Sequence, residues 1–190
     1  MELVFDTETN GAKKPNGTLD NSNQEIVQMS WILSYPNGKE VRKNYIISGV
    51  SHINYSVPHD ITVDMCKRQG IDFSIIIDEF MTDVKNAHVV IAHNFSFDSS
   101  VIINTMRLKN IPSLFLENHF RKKRFCTMRK TSSICKLVGK TGKEKPPKLC
   151  ELYYHYFGEE PNGKLHDALY DCEVTLACFK EYKKNSMIIT

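Results

Sequence analysis

The sequence predicts an α/β protein in which helices flank a mixed five-stranded sheet. Three apolar runs come first and are separated by turn residues, which is typical of an antiparallel meander. After them, buried-type strands alternate with segments of helical period, a pattern that indicates strands joined by helices. With no internal repeat and no linker, residues 1–190 are expected to form one domain.

The meander is predicted from its strands and turns. The first strand covers residues 2–6 and the second covers 26–35, with a loop rich in Gly, Asn and Lys at 10–24 between them. The sequence Pro-Asn-Gly-Lys at 36–39 is typical of a hairpin turn. Residues 41–47 should therefore pair with the second strand.

The second half alternates helices with strands. Thr62 can cap one helix through its side-chain oxygen, and Ser74 is predicted to cap the next. That second helix should bury a stripe formed by Ile75, Ile76, Phe80 and Val84. The remaining predicted elements are a strand at 88–92, a helix at 97–109, a strand at 124–128, and helices at 149–157 and 167–184.

Composition indicates a globular protein. Of the 190 residues, 41% are hydrophobic and 25% are charged, which is enough apolar material for a core without disulfides. No basic-then-apolar leader and no apolar run of about 20 residues is present. The expectation is a soluble, intracellular protein, cytoplasmic in location and without a membrane partner.

The six cysteines are expected to be reduced and mostly buried thiols, because the chain is not small and contains no C-x-x-C pair. A zinc site could be drawn from Cys126, Cys135, Cys150 and His155. Those spacings match no common zinc template, so the reduced thiols are the better interpretation.

The net charge of +3 conceals a strong asymmetry. Residues 120–148 contain eleven Lys or Arg and one acid, Glu144, so this basic segment carries +10 and the rest of the chain −7. Such a segment is either a solvated loop or a contact for a polyanion. A nuclease site nearby would favour contacts with backbone phosphates.

A pair of carboxylates stands at the end of the first strand. Asp6 and Glu8 are two residues apart, so both side chains project from the same face of the strand. Two acids on one face repel each other unless a cation lies between them, as Mg²⁺ or Mn²⁺ would. Taken alone, this D-x-E pair is better explained as a polar strand exit.

Two further segments place polar groups at helix starts. Asp98 follows the buried strand at 88–92, where the helix dipole favours negative charge. His166 lies in a loop before the last helix, and Asp171 lies in the first turns of that helix. A histidine can accept a proton from water near neutral pH. Singly, each residue also fits a cap or a surface charge, so the inference depends on their combination.

Together, in this order and spacing, the segments resemble the three exonuclease motifs of the DEDDh family of 3′–5′ exonucleases. That family includes the proofreading subunit of bacterial replicases and TREX-type enzymes. The D-x-E motif falls at Asp6 and Glu8, H-N-x-x-x-D at 93–98, and H-x-A-x-x-D at 166–171. The resemblance covers nearly the whole chain and implies a ribonuclease H-like fold.

The resemblance also implies cofactors and roles. Two divalent metal ions, Mg²⁺ or Mn²⁺, would be held by Asp6, Glu8, Asp98 and Asp171. His166 would be the general base, which completes the expected catalytic set. Substrate contacts are implied at Thr9, His59, Asn94 and Phe97. The basic segment, which is more basic than the resemblance requires, adds expected contacts in a substrate-guiding loop at Arg121, Lys122, Lys123 and Arg124.

The expected function is metal-dependent hydrolysis of nucleic acid from a free 3′ end, with release of nucleoside 5′-monophosphates. Single-stranded DNA is the expected substrate. An exoribonuclease is the main alternative, because discrimination depends on contacts to the 2′-hydroxyl. The sequence is also compatible with a non-catalytic nucleic-acid-binding module and, less well, with a small-molecule phosphodiesterase. It leaves open whether the chain forms a homodimer or binds a polymerase.

Overall fold

The fold is built on a five-stranded mixed sheet in the order β3-β2-β1-β4-β5. The computed structural model describes residues 1–11 and 24–188. The strands are β1 (Glu2–Thr9), β2 (Ile26–Ser34), β3 (Glu40–Ile46), β4 (Val89–Ala92) and β5 (Arg124–Cys126). The β1–β2 and β2–β3 pairs are antiparallel, and the β1–β4 and β4–β5 pairs are parallel. The predicted fold class is therefore confirmed.

Seven helices accompany this sheet in the described part of the chain. They are α1 (Val63–Gln69), α2 (Phe73–Asn86), α3 (Phe95–Leu108), α4 (Leu114–Lys123), α5 (Thr127–Cys135), α6 (Leu149–Phe157) and α7 (Ala168–Ile188). Among the residues described, no helix is long and apolar enough to cross a lipid bilayer. Most of the loop predicted at 10–24 lies outside those residues.

Alternation along β1 divides the core into two layers. Leu3 and Phe5 point toward the larger cluster, which includes residues of α2, α3 and α4. Val4 points to the opposite face, where it packs with Cys172 and other residues of α7. Asp6 and Glu8 continue the face of Val4, so the strand period itself directs them toward α7.

Helix α2 starts at Phe73, and this start point changes two details of the prediction. Asp72 is the N-cap and accepts the backbone N–H of Ser74, so Ser74 is not the cap. The buried stripe therefore runs through Phe73, Ile76, Ile77, Phe80 and Val84, while Ile75 is 63% exposed. The prediction of Ile75 as a core residue was wrong because the helical face is set by the first residue of the helix.

The first half of the basic segment is formed by helices and a short strand rather than by a loop. It contains the end of α4, the three-residue strand β5 and all of α5, and only residues 136–148 lie outside regular helices and strands. The prediction of a guiding loop was therefore wrong for its first half. Helix α4 buries only Leu116 and Phe120, and α5 buries only Thr127 and Thr131. So few apolar positions give a weak periodic signal.

Lys123 has a structural partner set. Its Nζ donates to the backbone carbonyls of Ala87 at 2.7 Å, Lys85 at 2.9 Å and Val84 at 3.2 Å, all at the C-terminal end of α2. An ammonium group has three donors, and cations stabilise helix C-termini. Lys123 therefore holds α4 against α2, and its side chain is not available for the expected substrate contact.

We predict that Lys123→Met lowers the free energy of unfolding by about 1–3 kcal/mol, because the carbonyl groups at the end of α2 lose a charged donor. Lys122→Met is the matched control, because the side chain of Lys122 is exposed. This substitution should change the free energy of unfolding by less than about 0.5 kcal/mol. Urea unfolding of the two variants gives the comparison. Equal stabilities would show that the Lys123 contacts contribute nothing measurable.

Candidate active site

All five residues of the expected catalytic set line one cavity with a volume of about 610 Å³. Asp6 and Glu8 come from β1, and Asp98 comes from the first turn of α3. Asp171 comes from the first turn of α7, and His166 from the loop that precedes it. Residues separated by more than 150 positions in sequence thus meet at one end of β1.

The residue between the two acids of β1 points the other way and holds the third acid. Thr7 donates to Oδ1 of Asp98 twice, through its hydroxyl at 2.8 Å and through its backbone N–H at 3.2 Å. Asp98 is only 2% exposed, so these bonds fix the orientation of a buried carboxylate. The alternation of β1 therefore supplies two acids on one face and the support for a third on the other.

Asp171 is held by the turn that begins α7. Its Oδ2 accepts the backbone N–H of His166 at 3.2 Å, while its Oδ1 is buried and has no hydrogen-bond partner. Asp167 caps the helix by accepting the backbone N–H groups of Leu169 and Tyr170. A buried carboxylate oxygen without a partner is costly in a folded protein unless a cation meets it.

His166 is placed by a strained backbone. Its φ of 69° lies in the left-handed region, which costs a non-glycine residue about 1 kcal/mol or more. A ring nitrogen of His166 and carboxylate oxygens of Glu8 and Asp171 all lie within 4.8 Å of one another. Among the residues described, no other group of three or more His, Cys, Asp or Glu has this geometry, so the zinc site considered from Cys126, Cys135, Cys150 and His155 does not form.

The carboxylates raise one another's pKa values. Burial, followed by the nearby charges of Asp98 and Asp171, holds the pKa of Asp6 well above its usual range. Burial and the charge of Asp171 raise the pKa of Glu8 to about 8. Burial raises the pKa of Asp98 to about 7, against the hydrogen bonds from Thr7, and that of Asp171 to about 6. Burial, with a smaller effect of His59, lowers the pKa of His166.

This donor set fits divalent cations. Four carboxylates converge without a lysine or arginine among the causes that shift their pKa values. Hard cations such as Mg²⁺ and Mn²⁺ prefer carboxylate oxygens and would offset the repulsion. The partnerless Oδ1 of Asp171 supplies a buried oxygen that is suited to a metal. The residues that could hold the ions are those expected from the sequence: Asp6, Glu8, Asp98 and Asp171.

One part of the cavity wall contains apolar residues and is fixed by His93. The wall includes Pro147 and Leu149, which lie at the end of the basic segment and the start of α6. His93 bonds the carbonyl of Pro147 through Nε2 at 3.1 Å and the hydroxyl of Thr127 through Nδ1 at 3.0 Å. A carbonyl only accepts, so Nε2 carries the proton and Nδ1 accepts from Thr127. Burial lowers the pKa of His93 to about 4, which keeps this neutral tautomer.

The expected substrate contacts divide into two groups. Thr9, Asn94 and Phe97 line the cavity beside the acids. His59 does not: it is 6% exposed, its Nδ1 accepts the N–H of Ile61, and its Nε2 bonds the carbonyl of Thr9 at 2.8 Å. Because both ring nitrogens are occupied by backbone groups, His59 supports the end of β1, and the substrate contact expected of it is corrected to a positioning role.

Several residues that shape the site were missed in the sequence. They are Thr7, Gln28 and Asp167, while His93, which opens the second motif, was given no role of its own. Gln28 lies opposite Glu8 in β2, donates to Asp167 at 3.2 Å and accepts the N–H of Ala168 at 3.1 Å, so it fixes the start of α7 beside the sheet. Thr7 and Asp167 could have been found because Thr7 lies between the two motif acids of β1 and Asp167 directly follows His166. Gln28 had no local signal, since its role depends on strand pairing.

The comparisons with known proteins identify the fold. Exonuclease X, solved with 5′ overhanging duplex DNA, is 21% identical, with a TM-score of 0.64 over 98% of this chain and 93% of that chain. E. coli exonuclease I with a dT13 oligonucleotide is 13% identical, with a TM-score of 0.68 over 96% of this chain. Exonuclease I from Methylocaldum szegediense is 17% identical, with a TM-score of 0.69 over 96% of this chain.

These structures define a class by fold: the chain shares the fold of these exonucleases, which agrees with the mixed five-stranded α/β architecture that the sequence predicts. It spans 40% of the length of each of the two exonuclease I chains and nearly all of exonuclease X. No family model matches the sequence, and no curated protein matches it. At 21% identity and below, the likeness establishes the architecture, and the chemistry has to be argued from the site.

We predict that the metal-free protein becomes more stable as the pH falls from 8 to 6.5, because carboxylates whose folded pKa is raised bind protons that the unfolded chain does not. The expected gain is about 2 kcal/mol or more, measured by urea unfolding with chelator present. The lowered pKa of His93 acts in the opposite direction, but mainly below its ordinary pKa of 6.5. Added Mg²⁺ should raise the melting temperature more at pH 8 than at pH 6.5. A flat profile in the chelated protein would contradict the carboxylate repulsion.

A second prediction concerns the support of Asp98. Thr7→Val keeps the shape of the side chain but removes the hydroxyl donor, so Mn²⁺ affinity measured by calorimetry should fall by about 10-fold, as for other groups that orient metal ligands. Thr7→Ser is the matched control and should bind the ion as the parent protein does. Unchanged affinity in the valine variant would show that the hydroxyl does not position Asp98.

Proposed function

We propose that this chain is a single-domain, metal-dependent 3′–5′ exonuclease that hydrolyses nucleic acid from its 3′ end and releases nucleoside 5′-monophosphates. DNA is the proposed substrate, and single-stranded DNA is the first form to test. The observation that carries the proposal is the convergence of four carboxylates and His166 on one cavity. That constellation suits two-metal phosphodiester hydrolysis.

In the proposed reaction, Asp6, Glu8 and Asp171 would hold one divalent ion, and Asp98 would support the second together with Asp6. When bound, the ions would polarise the scissile phosphodiester and lower the pKa of the attacking water. His166 accepts the proton of that water, a role suited to a neutral imidazole whose pKa is lowered by burial. A ring nitrogen of His166 lies within 4.8 Å of carboxylate oxygens of both Glu8 and Asp171.

The cavity supports a nucleotide substrate. Phe97, Asn94, Pro147 and Leu149 line the same cavity as the acids, so a base can lie against apolar groups while its phosphate meets the carboxylates. Solved structures of the same fold contain duplex DNA or DNA oligonucleotides, as in exonuclease X and exonuclease I. Both observations favour DNA over a small-molecule phosphodiester.

The test uses 5′-end-labelled single-stranded DNA, DNA duplex with a 5′ overhang, and RNA, each with Mg²⁺, Mn²⁺ or chelator. A ladder of progressively shorter labelled products, abolished by chelator, is the expected result for 3′–5′ hydrolysis. Comparing initial rates on the DNA and RNA substrates decides between the proposed enzyme and an exoribonuclease. A non-catalytic binding module would bind all three substrates and degrade none.

Asp6→Asn and His166→Gln should each lower the hydrolysis rate by about 10²–10⁴-fold, because one loses a metal ligand and the other the proton acceptor. Glu173→Gln, where the carboxylate pairs with Arg42, and His52→Gln are matched controls that make the same kind of change outside the cavity. Circular dichroism checks that each variant folds. Full activity in Asp6→Asn or His166→Gln would overturn the assignment of these residues.

A further inference from the structure

A second groove, with a volume of about 610 Å³, lies between α3, α4 and β5. Its lining is rich in arginine and serine. The residues that matter to its chemistry are Ser96, Ser99, Ser100, Arg107, Arg121 and Arg124. This arginine–serine groove shares no lining residue with the acid cavity.

The groove lies across one helix from the acid cluster. On α3, Ser96, Ser100 and Arg107 recur at helical spacing on the face opposite Asp98, since each turn contains 3.6 residues. Asp98 on the near face lines the acid cavity, so the two sites are separated by about one helix diameter, roughly 10 Å. A polymer whose end occupies the acid cavity is long enough to pass around α3 and reach the groove.

Arg121 and Arg124 are exposed, and in the part of the chain that the structure describes their guanidinium groups form no ion pair or hydrogen bond. They differ in this respect from two neighbours in the basic segment. Lys123 is bound to the carbonyls at the end of α2, and Lys145 is paired with Glu151 at 2.5 Å. The acid that lines the groove, Glu117, accepts the hydroxyl of Ser113 at 2.5 Å and leaves the two guanidinium groups without a carboxylate partner.

The inner side of the groove is rigid. Phe95 and Phe120 line it and are 3% and 5% exposed, and their rings meet edge to face with centroids 5.2 Å apart. Ser99 and Ser100 present small hydroxyl side chains, which at present donate to the carbonyl of Ser96. The packed aromatic surface and the small serine side chains leave room for a phosphate group. The exposed guanidinium groups can bind its oxygens through two parallel N–H donors.

We propose that the arginine–serine groove binds backbone phosphates of the nucleic acid whose 3′ end occupies the acid cavity. The proposal rests on the proposed function and adds that the substrate is a polynucleotide bound at two separate places. Phosphate contacts of this kind position a strand without reading its bases. Affinity should then depend on substrate length, because a strand too short to pass around α3 reaches only the acid cavity.

The test compares Arg121→Ala/Arg124→Ala with Arg129→Ala/Lys130→Ala. The control pair removes the same charge from the basic segment, on α5, where neither residue lines the groove. Binding of a fluorescein-labelled single-stranded DNA of 20 nucleotides is measured by fluorescence anisotropy, with chelator present and at several salt concentrations. Loss of the groove arginines should weaken binding about 10-fold and reduce the slope of log K against log salt concentration by about one to two units. The control substitutions should change the affinity and this slope by less.

Hydrolysis adds a second readout. For the 20-residue strand the groove variant should show a raised KM with an unchanged kcat, and for a trinucleotide neither constant should change. If the groove variant and the control pair weaken binding equally, the effect is general charge and the proposal is overturned. Unchanged oligonucleotide affinity, as expected if the groove instead receives an acidic protein segment, also overturns it. Absence of hydrolysis in the parent protein would reject the proposed function, whereas the anisotropy comparison would still decide on the groove.

Discussion

The crowding of four buried or partly buried carboxylates is the constraint on which the rest of the site depends. Burial is the largest cause that raises the pKa values of Asp6, Glu8, Asp98 and Asp171, and the negative charges of neighbouring carboxylates raise them further. Nothing in local sequence would bring these groups together spontaneously. The free energy that holds them close comes from packing on both faces of the sheet, where Val4 and Phe5 are wholly buried beside Asp6.

Side chains on both faces of the sheet position the acids through hydrogen bonds. On one face Thr7 donates to Asp98, and on the other face Gln28 accepts the backbone N–H of Ala168 in the first turn of α7. The loop that carries His166 is tied less firmly, by the backbone bond to Asp171 and by an ion pair between Lys164 and Asp60. Under the proposed mechanism, hydrogen bonds preorganise the carboxylates that would hold the ions, while the loop lets the histidine that would accept the proton adjust its position.

The basic segment shows how one block of charge takes several physical roles once it is folded. Lys123 closes the end of α2, Lys145 pairs with Glu151 at the start of α6, and Lys148 lines the acid cavity. Only Arg121 and Arg124 line the second groove among the four residues expected at 121–124. Charge density in a sequence therefore indicates a polyanion partner in general terms but does not identify the side chains that remain available for it.

The sequence by itself determined the strands, the mixed sheet and the five residues of the candidate site, because strand alternation and helix-start positions are local patterns that place side chains on a face. It failed for α4 and α5, which bury two residues each and so have almost no apolar period. Only the tertiary structure decided that Gln28 and His93 support the site, that His59 is occupied by backbone groups, and that Lys123 is structural. These roles depend on which distant groups come within hydrogen-bond reach, and that is fixed by packing rather than by sequence spacing.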